Sequence, residues 1–309
     1  MSKILATPKA RAMAKQANID LADLKIEGRK IESSDVEKYL NSLKSSPAPA
    51  VEAPKVEAPT PKTQPASTTT VSPTSKLDGR REKIAPIRKA IARAMTNSWN
   101  SVAYVNLVNQ IDVTDLWKLR KSVLESVQKT TGIKLTFLAF IAKAILIALS
   151  EFPIIAAKYD EAANEIVYPE TINLGLAVDT EAGLMVPVIK NAQTLSIVEI
   201  ASEIVRLAKA ARERKIKPSE MQGGSFTITN YGSVGSLYGV PVINYPELAI
   251  AGVGAIIDSA EVKDGQIVAA KIMHLTVAAD HRWIDGATIG RFAARVKELL
   301  EKPEILGIL

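Results

Sequence analysis

Apolar residues recur at helical and strand spacings over residues 80–309, and the stretch just before them lacks that pattern. The helical spacing predicts helices at 84–98, 112–131, 135–150, 195–216 and 286–301. The strand signals predict strands near 103–111, 165–168, 171–179, 184–190, 225–229, 248–257 and 266–279. This alternation is typical of an α/β domain in which helices cover a mixed sheet, although periodicity alone leaves the topology open.

A linker is predicted at residues 43–79. Prolines recur over residues 44–76 among Ala, Ser, Thr and Glu, with almost no large apolar side chains. Such a segment cannot bury enough surface to offset the entropy of ordering it. At ~3.1 Å per residue, an extended proline-rich spacer of this length reaches on the order of 100 Å. It therefore separates a small domain at 3–42 from a large one at 80–309.

Residues 3–42 carry the signals of a small helical domain. Thr7 precedes Pro8, an arrangement typical of an N-cap residue followed by proline at the first helical position. Asn18 can adopt the left-handed conformation that ends a helix. Residues 34–37 read Ser-Asp-Val-Glu and predict a capping box that opens a second helix. A unit of about 40 residues lies near the lower size limit for independent folding.

Composition narrows the possible function classes. The chain has 309 residues, 47% of them hydrophobic, and can therefore bury a sizeable core. It has no cysteine and two histidines, which excludes disulfides, a cysteine nucleophile and thiolate metal sites and argues against a metal enzyme. The net charge is +6, but the basic residues are scattered among acidic ones without interleaved aromatic residues. No nucleic-acid partner is therefore expected.

Membrane and targeting signals are weak in this sequence. The apolar stretch 135–149 is interrupted by Lys143 and is shorter than the ~20 residues of a membrane span. It predicts a buried core helix, and no membrane association is expected. No N-terminal signal peptide is recognisable, so the expected compartment is the cytoplasm.

His281 is the leading candidate for a catalytic base. It lies between strand-like residues 272–278 and an amphipathic helix whose predicted N-cap is Asp285, followed by Gly286. An ordinary imidazole titrates near pH ~6.5, which suits proton abstraction at neutral pH. The alternative is a structural histidine without chemistry, and residue type alone favours that alternative.

The run 278–287 resembles the His-x-x-x-Asp-Gly signature of the dihydrolipoamide acyltransferases, the core subunits of 2-oxo acid dehydrogenase complexes. Residues 87–95, 177–190 and 223–232 resemble other segments of that family's catalytic domain, in the same order. Residues 6–14 are similar to its peripheral subunit-binding domain. The resemblance implies an α/β, two-layer, chloramphenicol-acetyltransferase-like fold at 80–309, with a small helical subunit-binding domain at the N-terminus. It also implies a trimer with the active site in a channel between subunits.

The implied activity is acyl transfer from acyl-dihydrolipoamide to coenzyme A. His281 would deprotonate the attacking thiol, because the thiolate is the nucleophile. Thr229 stands where the family usually has serine and would donate a hydrogen bond to the oxyanion, although its methyl group restricts χ1. Without the motif, Thr229 is an ordinary β-branched strand residue. Asp285 would order the loop after the histidine, and capping of the helix is at least as strong an interpretation.

Four positions match residues that line the family's coenzyme A channel: Arg120, Thr136, Asp179 and Ser233. Coenzyme A needs hydrogen-bonding groups along its pantetheine arm and cations for its phosphates. Each position has a structural alternative, namely a solvated helix cation, a helix N-cap and two turn residues. The sequence departs from many relatives at Tyr104, where they carry histidine, so acyl specificity does not transfer from the resemblance.

The N-terminal domain is expected to bind other subunits of the complex. Lys9, Arg11, Lys15 and Arg29 predict a basic face. In the family this face docks the decarboxylase or the dihydrolipoamide dehydrogenase through charge pairs; the alternative is simple solvation. The loop at 26–31 is shorter than the family's glycine-rich loop, which leaves the partner's identity open.

The lipoyl group is expected to come from another domain or another chain. No Asp-Lys-Ala lipoyl-attachment motif occurs in this sequence, so no lipoyl arm is attached here. At the opposite end, residues 303–309 contain four large apolar residues. The family inserts this tail into a neighbouring trimer and so builds a cage from homotrimers. The alternative is that the tail packs against its own domain.

Two alternative functions remain open from the sequence. A non-catalytic scaffold that only binds complex subunits would have no need of the base at His281. A free-standing coenzyme A-dependent acyltransferase would have no use for residues 3–42 or the long linker.

Overall fold

The computed structural model describes residues 6–16, 19, 24, 30–45, 79 and 81–309. The chain divides into two compact units, Met1–Leu77 and Asp78–Leu309. The predictions for Asn18 and Arg29 fall outside the described residues, as does the side chain of Lys15.

Among its described residues, the first unit contains two helices, α1 at Pro8–Gln16 and α2 at Ser33–Ser45. Thr7 caps α1 as predicted, since its hydroxyl accepts a hydrogen bond from the backbone N–H of Ala10 at 3.3 Å. The capping box predicted at residues 34–37 is wrong in register. Helix α2 begins at Ser33, and the carboxylate of Asp35 accepts the backbone N–H of Glu32 at 2.9 Å. An acidic side chain two residues earlier than predicted therefore starts the helix.

The second unit contains five long helices, each within a few residues of its predicted position. They are α3 at Pro86–Ser101, α4 at Thr114–Thr131, α5 at Phe137–Glu151, α6 at Ile197–Arg212 and α7 at Gly286–Glu301. Helix α5 is buried along most of its length, as the apolar stretch predicted. None of the helices within the described ranges is both long and apolar enough to cross a membrane.

The strands differ more from prediction. They are β1 at Tyr104–Asp112, β2 at Lys158–Asp160, β3 at Glu165–Val167, β4 at Leu174–Leu176, β5 at Val188–Ile189, β6 at Phe226–Asn230, β7 at Ala249–Val253, β8 at Ile257–Lys263 and β9 at Gln266–Asp280. The strand predicted at 248–257 ends early, because the chain crosses another segment at Gly254. A Cβ there would lie 1.8 Å from the carbonyl oxygen of Leu237. Strand β2 was not predicted, since three residues are too short to show a period.

Seven strands form one mixed sheet in the order β1-β9-β7-β6-β4-β5, with β8 pairing the first part of β9. Strand β6 runs parallel to both neighbours, β4 and β7, and the remaining pairs are antiparallel. The α/β fold class with helices on a mixed sheet is confirmed by this topology.

The main core lies between one face of this sheet and the helices. On β9, Leu275, Val277 and Ala279 alternate into that core and are fully buried. The opposite face of the sheet is partly open: Val108 on β1 is 51% exposed. Part of that open face is covered by a small second cluster, which includes Ile243.

The C-terminal tail is divided between burial and exposure. Leu306 is buried in its own domain and Ile305 packs against the same core. Ile308 and Leu309 are exposed, at 83% and 58%. The expectation that the whole tail is available to a neighbouring trimer is therefore wrong for Leu306, and only the last two apolar residues are available.

Candidate active site

His281 lies directly after β9 and before α7, at the predicted junction of strand and helix. Its backbone N–H donates a hydrogen bond to the carbonyl oxygen of Ala103 at 2.8 Å, which ties it to the start of β1. The residue is exposed in the isolated chain, and its imidazole has no hydrogen-bond partner within the described part of the chain. The ring is therefore free to meet a substrate.

A buried ion pair holds the turn that carries His281. Asp280 is 1% exposed, and its two carboxylate oxygens accept three hydrogen bonds from the Arg282 guanidinium, the shortest at 2.6 Å. The same carboxylate accepts the backbone N–H groups of Ala103 and Arg282 at 3.3 and 3.1 Å. Hydrogen bonding to Asp280 raises the pKa of Arg282 above its ordinary value. The carboxylate of this bidentate ion pair also binds two backbone N–H groups. The pair therefore fixes the position of His281, which lies between Asp280 and Arg282 in the sequence.

Sequence reasoning did not identify Asp280 as a group that supports His281. The only signal was an acidic residue at the end of an otherwise apolar strand.

Asp285 occupies the N-cap position of α7, as predicted, but its side chain does not cap the helix. Its carbonyl oxygen accepts the N–H of Thr288 at 2.9 Å, while the carboxylate has no partner among the described residues. Both predicted roles for this carboxylate, helix capping and ordering of the loop, lack a contact in the single chain.

Thr229 lies on β6 and lines a cavity of about 330 Å³. The walls are mostly apolar and include Leu184, Val186, Val240 and Ile250. No described residue hydrogen-bonds the hydroxyl of Thr229. A free hydroxyl in apolar surroundings can donate to a substrate oxygen.

Glu247 is a second polar group beside this cavity, and sequence reasoning did not predict it. It is 2% exposed, and burial raises the pKa of its carboxyl to about 7. Its two oxygens accept hydrogen bonds from the Thr227 hydroxyl at 2.7 Å and from the Asn244 side-chain amide at 2.9 Å. Thr227 and Asn244 both line the cavity, so Glu247 connects two of its walls.

Strand register separates His281 from Thr229 within one chain. Thr229 is level with Gly252 on β7, and Gly252 is level with Thr276 on β9. The end of β9 is four residues further on, at Asp280. At about 3.3 Å per residue and 4.8 Å per strand, Thr229 lies on the order of 16 Å from Asp280. A base and an oxyanion donor must both come within about 3 Å of the reacting groups, so a single chain does not form the complete site.

Three of the four positions predicted for coenzyme A lie in one region. Arg120 donates from Nε to the carbonyl oxygen of Leu135 at 2.9 Å, and its guanidinium lies 4.6 Å from the ring centroid of Phe137. Phe137 and Ser233 line the same cavity of about 240 Å³. Ser233 donates from its hydroxyl to the carbonyl oxygen of Asn230 at 2.8 Å.

Thr136 lies at the N-cap position of α5, but its hydroxyl does not cap the helix. The hydroxyl oxygen is buried and has no partner within the described ranges. A buried hydroxyl without a partner is uncommon and suits a ligand that supplies one. Asp179 is exposed beyond the end of β4, and it does not line the cavity that Ser233 lines.

Within the described part of the chain, no group of three or more His, Asp or Glu side chains could hold a metal ion.

Comparison with known proteins shows the family to which the chain belongs. Residues 76–308 match the sequence model of the 2-oxoacid dehydrogenases acyltransferase catalytic domain. The chain is 41% identical over 307 residues to the dihydrolipoyllysine-residue acetyltransferase component of the Bacillus subtilis pyruvate dehydrogenase complex, covering 98% of this chain and 68% of the relative. It is 43% identical over 306 residues to the same component from Acholeplasma laidlawii, covering 98% of this chain and 56% of the relative.

Solved structures show the same architecture. A probable dihydrolipoamide acetyltransferase from Listeria monocytogenes superposes with a TM-score of 0.69 at 35% identity, over 72% of this chain and 94% of that one. The cubic core of a pyruvate dehydrogenase multienzyme complex superposes with a TM-score of 0.70 at 30% identity, over 80% of this chain and 99% of that one.

Proposed function

The chain belongs to the 2-oxoacid dehydrogenase acyltransferases, and on that premise we propose that it transfers an acyl group from acyl-dihydrolipoamide to coenzyme A. The observation that carries the proposal is that the chain presents two separate groups, an exposed, backbone-anchored His281 and a free Thr229 hydroxyl in an apolar cavity. Because the similar relatives act in pyruvate dehydrogenase complexes, acetyl is the acyl group that we propose.

In the proposed reaction, His281 accepts the proton of the coenzyme A thiol. The thiolate is the nucleophile, and a free thiol with a pKa of ~8.5 is mostly protonated near neutral pH. The thiolate sulfur attacks the thioester carbonyl of acyl-dihydrolipoamide, and the Thr229 hydroxyl donates a hydrogen bond to the resulting oxyanion. The intermediate then collapses, the bond to the dihydrolipoamide sulfur breaks, and His281 returns the proton to that sulfur.

We propose that each complete site combines His281 of one chain with Thr229 of a second copy. The separation on the order of 16 Å within one chain supports this arrangement, because neither side chain spans that distance. The partly open face of the sheet, where Val108 is half exposed, offers surface for a neighbouring copy. A homotrimer satisfies the requirement, because a closed ring gives every chain one neighbour on each side.

Coenzyme A is proposed to bind beside Arg120, Thr136 and Ser233. The orphaned Thr136 hydroxyl supports this assignment, since the pantetheine arm carries amide groups that can satisfy it. The Arg120 guanidinium supplies a cation for a phosphate group. No comparable observation supports Asp179 in the single chain. Its proposed contact with coenzyme A therefore requires a neighbouring copy to complete the binding site.

Complementation between two inactive variants tests the shared site. His281→Ala alone should lower turnover about 10² to 10⁴-fold, and Thr229→Val alone about 10²-fold. When the two variants are coexpressed and assemble at random, about a quarter of the shared sites combine an intact Thr229 with an intact His281. Activity should therefore recover well above that of either variant.

The control mixes the two variants after each has assembled separately, which leaves no hybrid sites. Coexpressed protein no more active than this mixture would refute a site shared between chains.

Two further interactions are part of the proposal. The exposed Lys9 and Arg11 on α1 are proposed to dock an acidic face of the decarboxylase or the dihydrolipoamide dehydrogenase, with binding that weakens as salt rises. The exposed Ile308 and Leu309 are proposed to join trimers into a larger cage. The lipoyl group that carries the acyl group is a substrate presented to the site.

A further inference from the structure

Three residues from separate parts of the large unit form a closed ring of hydrogen bonds, which we call the Tyr104 cluster. Ser98 on α3 is fully buried and donates from its hydroxyl to the carbonyl oxygen of Ile243 at 2.6 Å. The backbone N–H of Ile243 donates to the Tyr104 hydroxyl oxygen at 3.0 Å. The Ser98 and Tyr104 hydroxyl oxygens lie 2.7 Å apart. The Ser98 hydroxyl has one proton and donates it to the Ile243 carbonyl oxygen. The Tyr104 hydroxyl therefore donates its proton to the Ser98 oxygen.

One side of the Tyr104 cluster reaches His281. Tyr104 begins β1 and is level with Asp280 on β9. The residue before it, Ala103, accepts the backbone N–H of His281 at 2.8 Å and donates its own N–H to the Asp280 carboxylate at 3.3 Å. Any shift of Tyr104 therefore moves the two contacts that position the histidine turn.

The other side of the Tyr104 cluster reaches the cavity that Thr229 lines. Ile243 lies between Val242 and Asn244, which both line that cavity. Asn244 is in turn linked through Glu247 to β6, the strand that carries Thr229. The hydrogen bonds to Ile243 thus anchor the middle of a wall that faces the proposed oxyanion donor.

We propose that Tyr104 is a positioning residue that sets two half-sites at once: the His281 turn and the cavity wall opposite Thr229. The inference rests on the proposed function, in which these half-sites belong to different active sites of the assembly. Tyr104 then connects neighbouring active sites through one chain. The Trp99 ring, whose centroid lies 4.9 Å from that of Tyr104, holds the aromatic side chain in place, so the hydroxyl alone can be varied.

The two half-sites predict different kinetic effects for one substitution. Loosening the histidine turn misaligns the base and should lower kcat, because small displacements of a catalytic group are costly. Loosening the cavity wall should raise the KM for acyl-dihydrolipoamide, because the wall contacts bound substrate before and during the reaction. A residue that only stabilises the fold would not separate these effects by half-site.

The complementing pair of variants allows each half-site to be tested alone. The Thr229→Val chain supplies His281 to the active hybrid site, and the His281→Ala chain supplies the Thr229 cavity. Tyr104→Phe in the first chain should lower kcat about tenfold with little change in KM. Tyr104→Phe in the second should instead raise KM about five- to tenfold with little change in kcat. Tyr168→Phe, at a half-exposed tyrosine outside the Tyr104 cluster, is the matched control and should change neither.

Three results would overturn the inference: no effect from either placement, the same change in kcat and KM from both, or an equal effect from Tyr168→Phe. Ser98→Ala opens the same ring without touching the aromatic side chain. Ser98→Ala must show the same separation, with kcat lowered in the first placement and KM raised in the second. It replaces Tyr104→Phe if that variant does not assemble. A parental pair that fails to complement would instead refute the shared active site, so failure of the inference and failure of the proposed function give different results.

Discussion

Replacing Glu247 with glutamine should remove a pH-dependent part of this protein's stability. The Glu247 carboxyl is buried, and burial raises its pKa from 4.5 to about 7, while hydrogen bonds from Thr227 and Asn244 and the positive charge of Lys158 act in the opposite direction. A glutamine at this position resembles the protonated acid. Its carbonyl oxygen can accept from Asn244, and its amide can donate to the Thr227 hydroxyl, which reverses its role.

The sign of the effect follows from the raised pKa. The folded protein holds the Glu247 proton more tightly than the unfolded chain, so this stabilisation is complete below about pH 4.5. It is lost as the pH rises through the folded value near 7. At 1.36 kcal/mol per pKa unit, the loss of unfolding free energy is about 3 kcal/mol. Glu247→Gln cannot ionise and should not show this loss.

Urea unfolding of the assembled protein, at one fixed protein concentration, measures the difference. The wild-type protein should lose about 2.5 kcal/mol relative to Glu247→Gln between about pH 5 and about pH 8. Glu165→Gln, at an exposed carboxylate on β3, is the control and should follow the wild-type curve. Parallel pH curves for the wild type and Glu247→Gln would show that the buried carboxyl does not titrate in this range.

Three further predictions concern the substrate site, the histidine turn and the tail. Arg120→Ala should raise the KM for coenzyme A about tenfold and leave the KM for acyl-dihydrolipoamide unchanged, whereas equal changes in both would argue against a phosphate contact. Asp280→Asn leaves Arg282 without its counter-charge and should lower kcat about 10²-fold in assembled protein; an unchanged kcat would mean that the ion pair does not position His281. Removal of Ile308 and Leu309 should leave active trimers but no larger particles in light scattering, while a longer deletion that includes Leu306 should also destabilise the fold. Large particles after the short deletion would contradict the assigned tail contact.

The helices could be predicted because their apolar residues recur at helical spacing over many residues. Helix α6 shows this well, since its Ser196 and Glu199 form a capping box and its apolar residues repeat at helical spacing. The strands were less predictable. The end of β7 depends on the close approach of Leu237 to Gly254, which is a contact between segments distant in sequence.

The site residues were predicted through resemblance, and the groups that support them were not. Asp280 and Glu247 are acidic residues next to apolar strands, and from the sequence alone either could have been a solvated strand end. Their roles arise from burial combined with specific partners, Arg282 for one and Thr227 for the other. Such partners are brought together only when the sheet forms.

The separation of His281 and Thr229 is itself a property of strand order. The parallel pairing of β6 with β7 places Thr229 level with Thr276, in the middle of β9. One chain would hold both His281 and Thr229 in one site only if Thr229 were level with the end of β9. If a neighbouring copy supplies the second half of each active site, turnover per chain depends on how many contacts between chains are intact. Activity should then fall as trimers dissociate, in a concentration-dependent manner, while the fold of each chain persists.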